Sequence, residues 1–332
     1  MNDSSTPPIR LGIVGHGNLG RGVELAVTRN PDLRTVGIFT RRDPAQVQPR
    51  IAGTPVQPMQ ALDDAQEAID VLVLCGGSRT DLPQQSPALA ARFNLVDSFD
   101  THARIPEHFA AVDAAARAGG TTALISAGWD PGLFSVQRVM GEAMLAEGTT
   151  HTFWGKGVSQ GHSDALRRVP GVAAAVQYTI PVDAAVEHAR RGEQAPLSTR
   201  QKHTRECFVV LAAGADAAAV RQAIVTMPDY FADYGTRVHF VGAEELARDH
   251  AHMPHGGFVI RSGHSSPNAA QVIEYRLQLA SNPEFTASVL VAYARAVHRL
   301  HRLGQLGAKT VFDVPPGLLS RQSVEELRRQ HL

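Results

Sequence analysis

Apolar and amphipathic stretches alternate along the first third of the chain. Short apolar runs typical of buried strands occupy residues 11–14, 35–39, 71–74, 94–96 and 122–126. Amphipathic helical patterns lie between them at 20–29, 83–92 and 106–118, the last closed by Gly119 and Gly120. Regular alternation of strand and helix predicts an α/β domain built on a doubly wound parallel sheet.

The pattern changes after about residue 129. Strands of a different sheet are predicted at 151–154, 177–180, 206–211, 236–241 and 257–261, with helices near 164 and at 183–192 and 215–226. We therefore expect a first domain over 1–127 and a second, α+β domain over 128–285. Two further helices are predicted within 286–332. The pattern leaves open whether they complete the first domain.

Three glycines follow the first predicted strand at the spacing of a phosphate-binding turn: Gly15, Gly17 and Gly20, with Asn18 and Leu19 between the last two. In a Rossmann-type fold the first glycine permits the turn, the second lets a pyrophosphate approach the backbone, and the third lets the helix pack on the strand. Ordinary glycine turns share this spacing. The strand before it and the helix after it favour a dinucleotide site.

The end of the second predicted strand bears on which dinucleotide binds. Thr40, Arg41 and Arg42 stand where NAD-binding chains place an acid for the ribose hydroxyls. Paired guanidinium groups suit the 2′-phosphate of NADP, which we expect as the cofactor. In the alternative interpretation the arginines form a solvated turn and Asp43 reaches the ribose.

Small and acidic residues follow three later strands of the same sheet. These residues are Cys75, Gly76, Gly77 and Ser78 after the third strand, Asp97 and Asp100 after the fourth, and Trp129 and Asp130 after the fifth. The small-residue loop is either a plain turn or an approach for the nicotinamide ribose. Carboxylates beside a hydride acceptor suit an amine substrate, because a desolvated ammonium group needs a counter-charge. We expect that role for Asp100 and Asp130, and a capping role for Asp97.

The second domain carries a polar, glycine-rich stretch at 154–168 that predicts a binding loop leading into a helix. His162 within it is a candidate acid or base, or a residue that caps the loop. His250, His252 and His255 match no standard zinc spacing, so no metal site is expected. His255, before two glycines, is a candidate donor to a substrate carboxylate.

Composition and charge exclude several classes of protein. The 332 residues carry 32 Lys+Arg and 32 Asp+Glu, so there is no net attraction to nucleic acid or to an anionic membrane. Charged residues interrupt the longest apolar helix, at 286–303, and residues 1–8 lack the pattern of a signal peptide. Cys75 and Cys207 form no redox or metal motif. We expect a cytoplasmic enzyme.

Five segments, 13–20, 37–42, 128–132, 151–168 and 253–257, together resemble the meso-diaminopimelate D-dehydrogenase family, and the resemblance extends over nearly the whole chain. It implies a homodimer that uses NADP in lysine biosynthesis. The implied reaction is reversible oxidative deamination of meso-2,6-diaminopimelate at its D-centre, giving L-2-amino-6-oxopimelate and ammonia. The alternatives are a broader D-amino-acid dehydrogenase on the same scaffold and a non-catalytic NADPH-binding sensor.

The resemblance also implies roles for individual residues. Asp100 and Asp130 match the acids that hold the D-centre amine, and Trp129 matches the residue beside them. The remaining matches concern substrate binding: Thr179, Arg205 and His255 at the distal L-centre, and the loop of Gln160, Gly161 and His162. Asn268 is the candidate for the family's asparagine.

Overall fold

The computed structural model describes residues 7–193 and 196–332. They form two compact units. One unit comprises the described residues up to Val136 together with Pro283–Leu332, and the other is Gln137–Asn282. The C-terminal segment, which the sequence pattern left unassigned, therefore joins the first unit.

Strands and helices are labelled in chain order over the described residues. The strands are β1 (Ile9–Val14), β2 (Leu33–Thr40), β3 (Val56–Pro58), β4 (Val71–Leu74), β5 (Leu95–Asp97), β6 (Thr122–Leu124), β7 (Glu147–Trp154), β8 (Gly157–Val158), β9 (Val172–Pro181), β10 (His203–Leu211), β11 (Gly235–Phe240), β12 (His255–Ser266), β13 (Ala269–Leu279) and β14 (Gly307–Lys309). The helices are α1 (Asn18–Thr28), α2 (Leu82–Ala90), α3 (Ile105–Gly119), α4 (Leu133–Met144), α5 (Gln160–Arg167), α6 (Asp183–Arg190), α7 (Thr199–Lys202), α8 (Ala217–Val225), α9 (Ala243–Asp249), α10 (Asn282–Arg302), α11 (Pro316–Leu319) and α12 (Val324–His331).

The first unit is built on a sheet of strand order β14-β6-β5-β4-β1-β2-β3, in which neighbouring strands are parallel. Side chains alternate across a strand, so Val71 and Val73 of β4 join one hydrophobic cluster while Leu72 and Leu74 join another. Helices α1 and α10 pack in the first cluster, and α2 and α3 pack in the second. This arrangement confirms the predicted doubly wound Rossmann-type sheet.

The C-terminal segment completes this unit in two ways. Helix α10 lies so close to α1 that a Cβ built on Gly22 would stand 2.9 Å from the Cβ of Ala287. On the same helix, the buried Arg295 pairs with Asp32, with 2.5 Å between Nε and Oδ2. Strand β14 then pairs with β6 and extends the sheet. None of the helices in the described residues is both long and apolar enough to cross a membrane.

The second unit contains two sheets, whereas the sequence pattern predicted one. Strands β11-β10-β9-β8 form a mixed sheet against which α5 and α8 pack. Strands β13-β12-β7 form a separate antiparallel sheet that packs against α6. The prediction missed β13, since Glu274, Arg276 and other polar residues alternate with apolar ones along this exposed edge strand. The α+β character of the unit is confirmed.

Candidate active site

The glycine turn after β1 has the geometry of a phosphate-binding turn. Gly15 has a φ of +89°, which favours glycine, and its N–H donates to the Phe39 carbonyl at 2.8 Å. A Cβ on Gly20 would stand 2.2 Å from the Gly15 carbonyl oxygen, whereas a Cβ on Gly17 would meet no atom within 4 Å. Space therefore lies open before the first N–H groups of α1, as a pyrophosphate requires.

The side chains of Arg41, Arg42 and Asp43, which follow β2, have different partners. Arg42 donates from Nη2 to the His16 carbonyl at 2.8 Å, which places its guanidinium beside the glycine turn, and its N–H donates to Thr40 Oγ1 at 3.1 Å. Arg41 instead pairs with Asp81 at 2.7 Å. The Asp43 carboxylate accepts from the Ala45 N–H at 3.0 Å. The acid considered for a ribose contact thus caps a turn, whereas Arg42 lies beside the glycine turn, where its charge suits a phosphate.

A buried pair beneath the glycine turn was not predicted from the sequence. His16 Nε2 lies 2.9 Å from Glu24 Oε2, and both side chains are about 1 % exposed. The same carboxylate accepts from the N–H groups of Arg50 and Ile51. Burial raises the pKa of Glu24, but these hydrogen bonds outweigh burial and hold that pKa below its usual value. The pair joins the glycine turn, α1 and the loop after β2.

The small-residue loop after β4 lies against α2. A Cβ on Gly76 would stand 2.8 Å from that of Asp81, and the Gly77 N–H donates to the Asp81 carboxylate at 2.9 Å. Burial raises the pKa of the Cys75 thiol, so it is no thiolate nucleophile at neutral pH. Ser78 Oγ accepts from the Asp100 N–H at 3.1 Å and so links this loop to the acidic loop after β5.

The two predicted amine-binding acids follow neighbouring strands, β5 and β6. Asp100 is exposed and Asp130 is partly exposed. Trp129 is buried, edge-on to Phe134 with 5.2 Å between ring centroids. The turn that carries Trp129 and Asp130 is tight, since a Cβ on Gly132 would overlap the Gly128 carbonyl oxygen. Because β1, β4, β5 and β6 are parallel, these acids and the glycine turn lie at one edge of the sheet.

The second unit holds a buried cation. Arg205 on β10 is opposite Thr179 on β9, and its Nη1 donates to Thr179 Oγ1. Its guanidinium lies 3.9 Å from the centroid of the Tyr234 ring. Burial lowers the pKa of Arg205, and its Nε is buried with no hydrogen-bond partner among the described residues. A buried guanidinium of this kind is suited to an anionic ligand group.

His255 is held close to Thr179 by a glycine. Gly157 on β8 pairs with Thr179, and a Cβ on Gly157 would stand 2.4 Å from Cγ of His255. Only glycine leaves room for the imidazole here. The structure thus brings the predicted residues Thr179, Arg205 and His255 to one region of the second unit.

His162 lies in a buried aromatic setting. Its Nδ1 is 2.7 Å from Oγ of Ser159, the N-cap of α5, and its ring packs edge-on against Tyr230 and Phe231. Burial, with a smaller effect from the charge of Arg205, lowers the pKa of His162 to about 4. The imidazole is therefore neutral at neutral pH, which suits a hydrogen-bonding group better than a general acid.

Gln160 and Gly161 form the exposed first turn of α5. Gln160 Nε2 lies 3.2 Å from Met253 Sδ, two residues before His255. The N–H of Asn282 donates to the Met253 carbonyl at 2.9 Å. The sequence analysis did not single out Asn282, because asparagine followed by proline at the start of a helix is typical of a cap.

Asn268 lies far from this cluster. It occupies the exposed tip of the β12–β13 hairpin, between Ser266 and Ala269, whereas His255 pairs with Leu279 at the opposite end. Eleven residues of extended chain separate the two ends, a span of roughly 35 Å. The structure therefore does not bring Asn268 together with His255 within one chain.

Comparisons with known proteins bear on this arrangement. Residues 128–281 match the family described as the diaminopimelic acid dehydrogenase C-terminal domain. The meso-diaminopimelate D-dehydrogenase of Lysinibacillus sphaericus is 59% identical over 327 residues, which cover 98% of this chain and 99% of that protein.

Two solved structures share the architecture. A sextuple mutant of the meso-diaminopimelate dehydrogenase of Clostridium tetani, with diaminopimelate, is 52% identical and has a TM-score of 0.93, covering 98% of this chain and 100% of that one. An engineered D-amino acid dehydrogenase bound to NADP⁺ is 46% identical with a TM-score of 0.86, at the same coverage.

Two glycine substitutions separate cofactor binding from folding. We expect Gly17→Ala to keep a melting temperature within about 2 °C of the unsubstituted protein, because its Cβ meets open space. It should nevertheless weaken NADPH binding at least about tenfold, because the methyl group occupies the path of the pyrophosphate. Gly20→Ala, whose Cβ would overlap the Gly15 carbonyl, should lower the melting temperature by several degrees. Fluorescence titration with NADPH and thermal melts measure both; unweakened binding by the Gly17 variant would contradict the assignment.

Proposed function

Since the chain belongs to the meso-diaminopimelate D-dehydrogenase family, we propose that it oxidatively deaminates meso-2,6-diaminopimelate at its D-centre with NADP⁺. The products are L-2-amino-6-oxopimelate, ammonia and NADPH, and the reaction is reversible. The observation that carries this proposal is the pair of carboxylates, Asp100 and Asp130, at the ends of neighbouring strands on the edge that also bears the glycine turn. The family relation favours this function over a general D-amino-acid dehydrogenase or a sensor.

The cofactor site fits NADP. Gly17 leaves room for the pyrophosphate, Gly15 and Gly20 permit the turn and the packing of α1, and Arg42 beside the turn supplies a charge for the 2′-phosphate. When bound, NADP⁺ supplies a hydride acceptor. The related dehydrogenase bound to NADP⁺ supports the same choice of cofactor.

The acidic loops act on the reacting amine. Asp100 and Asp130 would bind the D-centre ammonium group and orient its C–H bond. Oxidation removes a proton from the ammonium nitrogen, which passes to solvent, and a hydride from the carbon, which NADP⁺ would accept. The resulting iminium ion is still positive, so the same carboxylates stabilise the charge before and after oxidation. Addition of water to the iminium carbon and breakage of the C–N bond then release ammonia and leave the ketone.

A second set of side chains suits the carboxylate at the other end of the substrate. Arg205, whose Nε has no hydrogen-bond partner within the part of the chain that the structure describes, would bind the distal carboxylate. Thr179 and His255 lie in the same region and would complete its hydrogen bonds. A substrate with two amino-acid ends of opposite configuration is distinguished only if the distal end is fixed. We infer that this anchoring selects the D-centre for oxidation.

The Clostridium tetani structure supports a different residue for the family's asparagine. Six residues are substituted in that structure, and their original types recur in this chain at matching intervals: Gln160, Thr179, Arg205, Pro254, His255 and Asn282. Four of them were named from the sequence. We therefore assign the asparagine role to Asn282, which bonds to the segment that carries Pro254 and His255, and not to Asn268.

We further propose that the enzyme is a cytoplasmic homodimer. Val139, Met140 and Met144 on the second unit's part of α4 are between 43% and 65% exposed and form an apolar patch. A second copy of the chain is the occupant that the family resemblance implies. Such a patch is typical of a subunit interface.

Light scattering tests the dimer. We expect twice the chain mass of 35.6 kDa for the unsubstituted protein and the mass of a single chain for Met140→Asp. Leu303→Asp, which changes an exposed apolar residue of the first unit, is the control and should stay dimeric. A single-chain mass for the unsubstituted protein would refute the proposal.

Substitution of one amine-binding acid tests the proposed chemistry. We expect Asp130→Asn to leave NADPH binding intact and to lower kcat with meso-diaminopimelate by about 100-fold or more, because the iminium loses a counter-charge. Asp64→Asn, at an exposed helix end, is the matched control and should keep full activity. Release of NADPH and ammonia in equal amounts verifies the reaction. Unchanged turnover by the Asp130 variant would remove this residue from the amine site.

A matched pair of asparagine variants tests the proposed assignment. Asn282→Ala should raise the KM for meso-diaminopimelate about tenfold, the cost of one hydrogen bond to a charged group. Asn268→Ala should leave KM and kcat unchanged. Steady-state kinetics decide between them, and the opposite pattern would restore Asn268.

A further inference from the structure

The carboxylate of Asp97 joins the two loops that carry the amine-binding acids. Asp97 is fully buried at the end of β5. Its Oδ1 accepts from the N–H of Phe99 at 3.0 Å and from the N–H of Ser126 at 2.9 Å. Phe99 directly precedes Asp100, and Ser126 opens the loop that leads to Asp130. One oxygen atom therefore fixes the start of both loops.

The other oxygen of this carboxylate is fixed from the helices. Oδ2 accepts from Ser86 Oγ on α2 at 2.6 Å and lies 2.8 Å from His108 Nε2 on α3. The imidazole of His108 is stacked on the Phe99 ring, with centroids 4.1 Å apart. Both helices pack on the sheet through the second hydrophobic cluster. The Oδ2 atom of Asp97 is thus fixed by side chains of α2 and α3, and its Oδ1 atom fixes the loops after β5 and β6.

The backbone around Ser126 needs this support. Ser126 has a φ of +58°, a left-handed conformation that is unfavourable for a residue other than glycine. Its N–H bonds to the Asp97 side chain, and the next N–H, that of Ala127, donates to the Asp97 carbonyl at 2.9 Å. The chain is turned here towards Trp129 and Asp130. Removal of the carboxylate would free this turn.

We propose that Asp97 is a positioning residue for the deamination. By fixing the loops after β5 and β6 in one geometry, it sets the separation of Asp100 and Asp130 and hence the placement of the reacting amine. This inference rests on the proposed function, since it assumes that these two acids bind that amine. A side chain that only capped a turn would bond one loop, whereas Asp97 bonds two.

Kinetics of Asp97→Ala, which removes the acceptor of both loop N–H groups, test this role. We expect kcat with meso-diaminopimelate to fall at least about tenfold while the Kd for NADPH stays within twofold. With substrate deuterated at the D-centre, the primary isotope effect on kcat should increase, because a misplaced C–H bond makes hydride transfer slower. Ser86→Ala removes one bond to the same carboxylate but leaves both loop contacts and the stacking of His108 on Phe99, so it is the control and should stay within threefold. A folded Asp97→Ala enzyme with unchanged kcat and isotope effect would overturn the proposal, as would a loss of kcat matched by lost NADPH affinity.

Two substitutions of His108 keep the test decisive if the Asp97 variant does not fold. His108→Leu removes the N–H that holds Oδ2, and His108→Gln offers a replacement donor. We expect kcat to fall at least fivefold in the leucine variant and to recover in the glutamine variant, with NADPH binding unchanged in both. Equal kcat values for the two variants would contradict the role of Asp97.

Hydrogen exchange separates this inference from the proposed function. In whichever Asp97 or His108 variant folds, amide exchange should rise in both 98–100 and 126–130, whether or not a substrate is known. Faster exchange in both loops, with no diaminopimelate oxidation by the unsubstituted protein, would refute the function and support the positioning role. An active unsubstituted protein whose variants show unchanged exchange in either loop would refute the positioning role alone.

Discussion

The candidate cofactor and amine sites depend on parallel pairing of strands that are buried on both faces. Neighbouring β4, β5 and β6 all end at one edge, together with β1, so loops distant in sequence are delivered to one place. The pairing is specified by near-continuous apolar runs, such as 71–74, whose alternate side chains enter different clusters. Asp97 then fixes the positions of the loops after β5 and β6 by hydrogen bonds to both. Asp100, which is exposed, and Asp130, which is partly exposed, thus lie on loops that a fully buried carboxylate holds.

The candidate site of the second unit is organised around a buried positive charge, that of Arg205. The guanidinium of Arg205 lies within the β9–β10 pairing and retains a hydrogen-bond donor without a partner among the described residues. Such a group is costly in an empty site and becomes favourable when an anion binds. The neighbouring His162, kept neutral by burial and by that cation, adds a hydrogen-bonding group without a second positive charge. Together these groups suit a ligand that carries a carboxylate.

The sequence predicts those features that depend on residues close to one another in the chain. The glycine turn, Arg42 and the strand ends that carry Asp100 and Asp130 follow from short motifs, and the predicted family is confirmed by relatives that cover nearly the whole chain. The position of Asn268 relative to His255 could not be predicted, because it depends on the length of the β12–β13 hairpin, which places the two residues at opposite ends. Asp97 was assigned a cap, since its bond to Ser126 depends on a strand partner 29 residues away. The separate three-stranded sheet escaped prediction because its edge strand is rich in polar residues.

The central claim is that one end of the substrate is anchored so that the other, D-configured end is oxidised. The most direct measurement is NADP⁺ reduction at 340 nm by the purified protein, with the meso, LL and DD isomers of diaminopimelate and simple D-amino acids as separate substrates. Our account predicts turnover of the meso isomer, none of the LL isomer, and little of the DD isomer or of D-amino acids that lack the distal L-centre. Comparable turnover of simple D-amino acids would contradict distal anchoring, and reduction with the LL isomer would contradict oxidation at the D-centre.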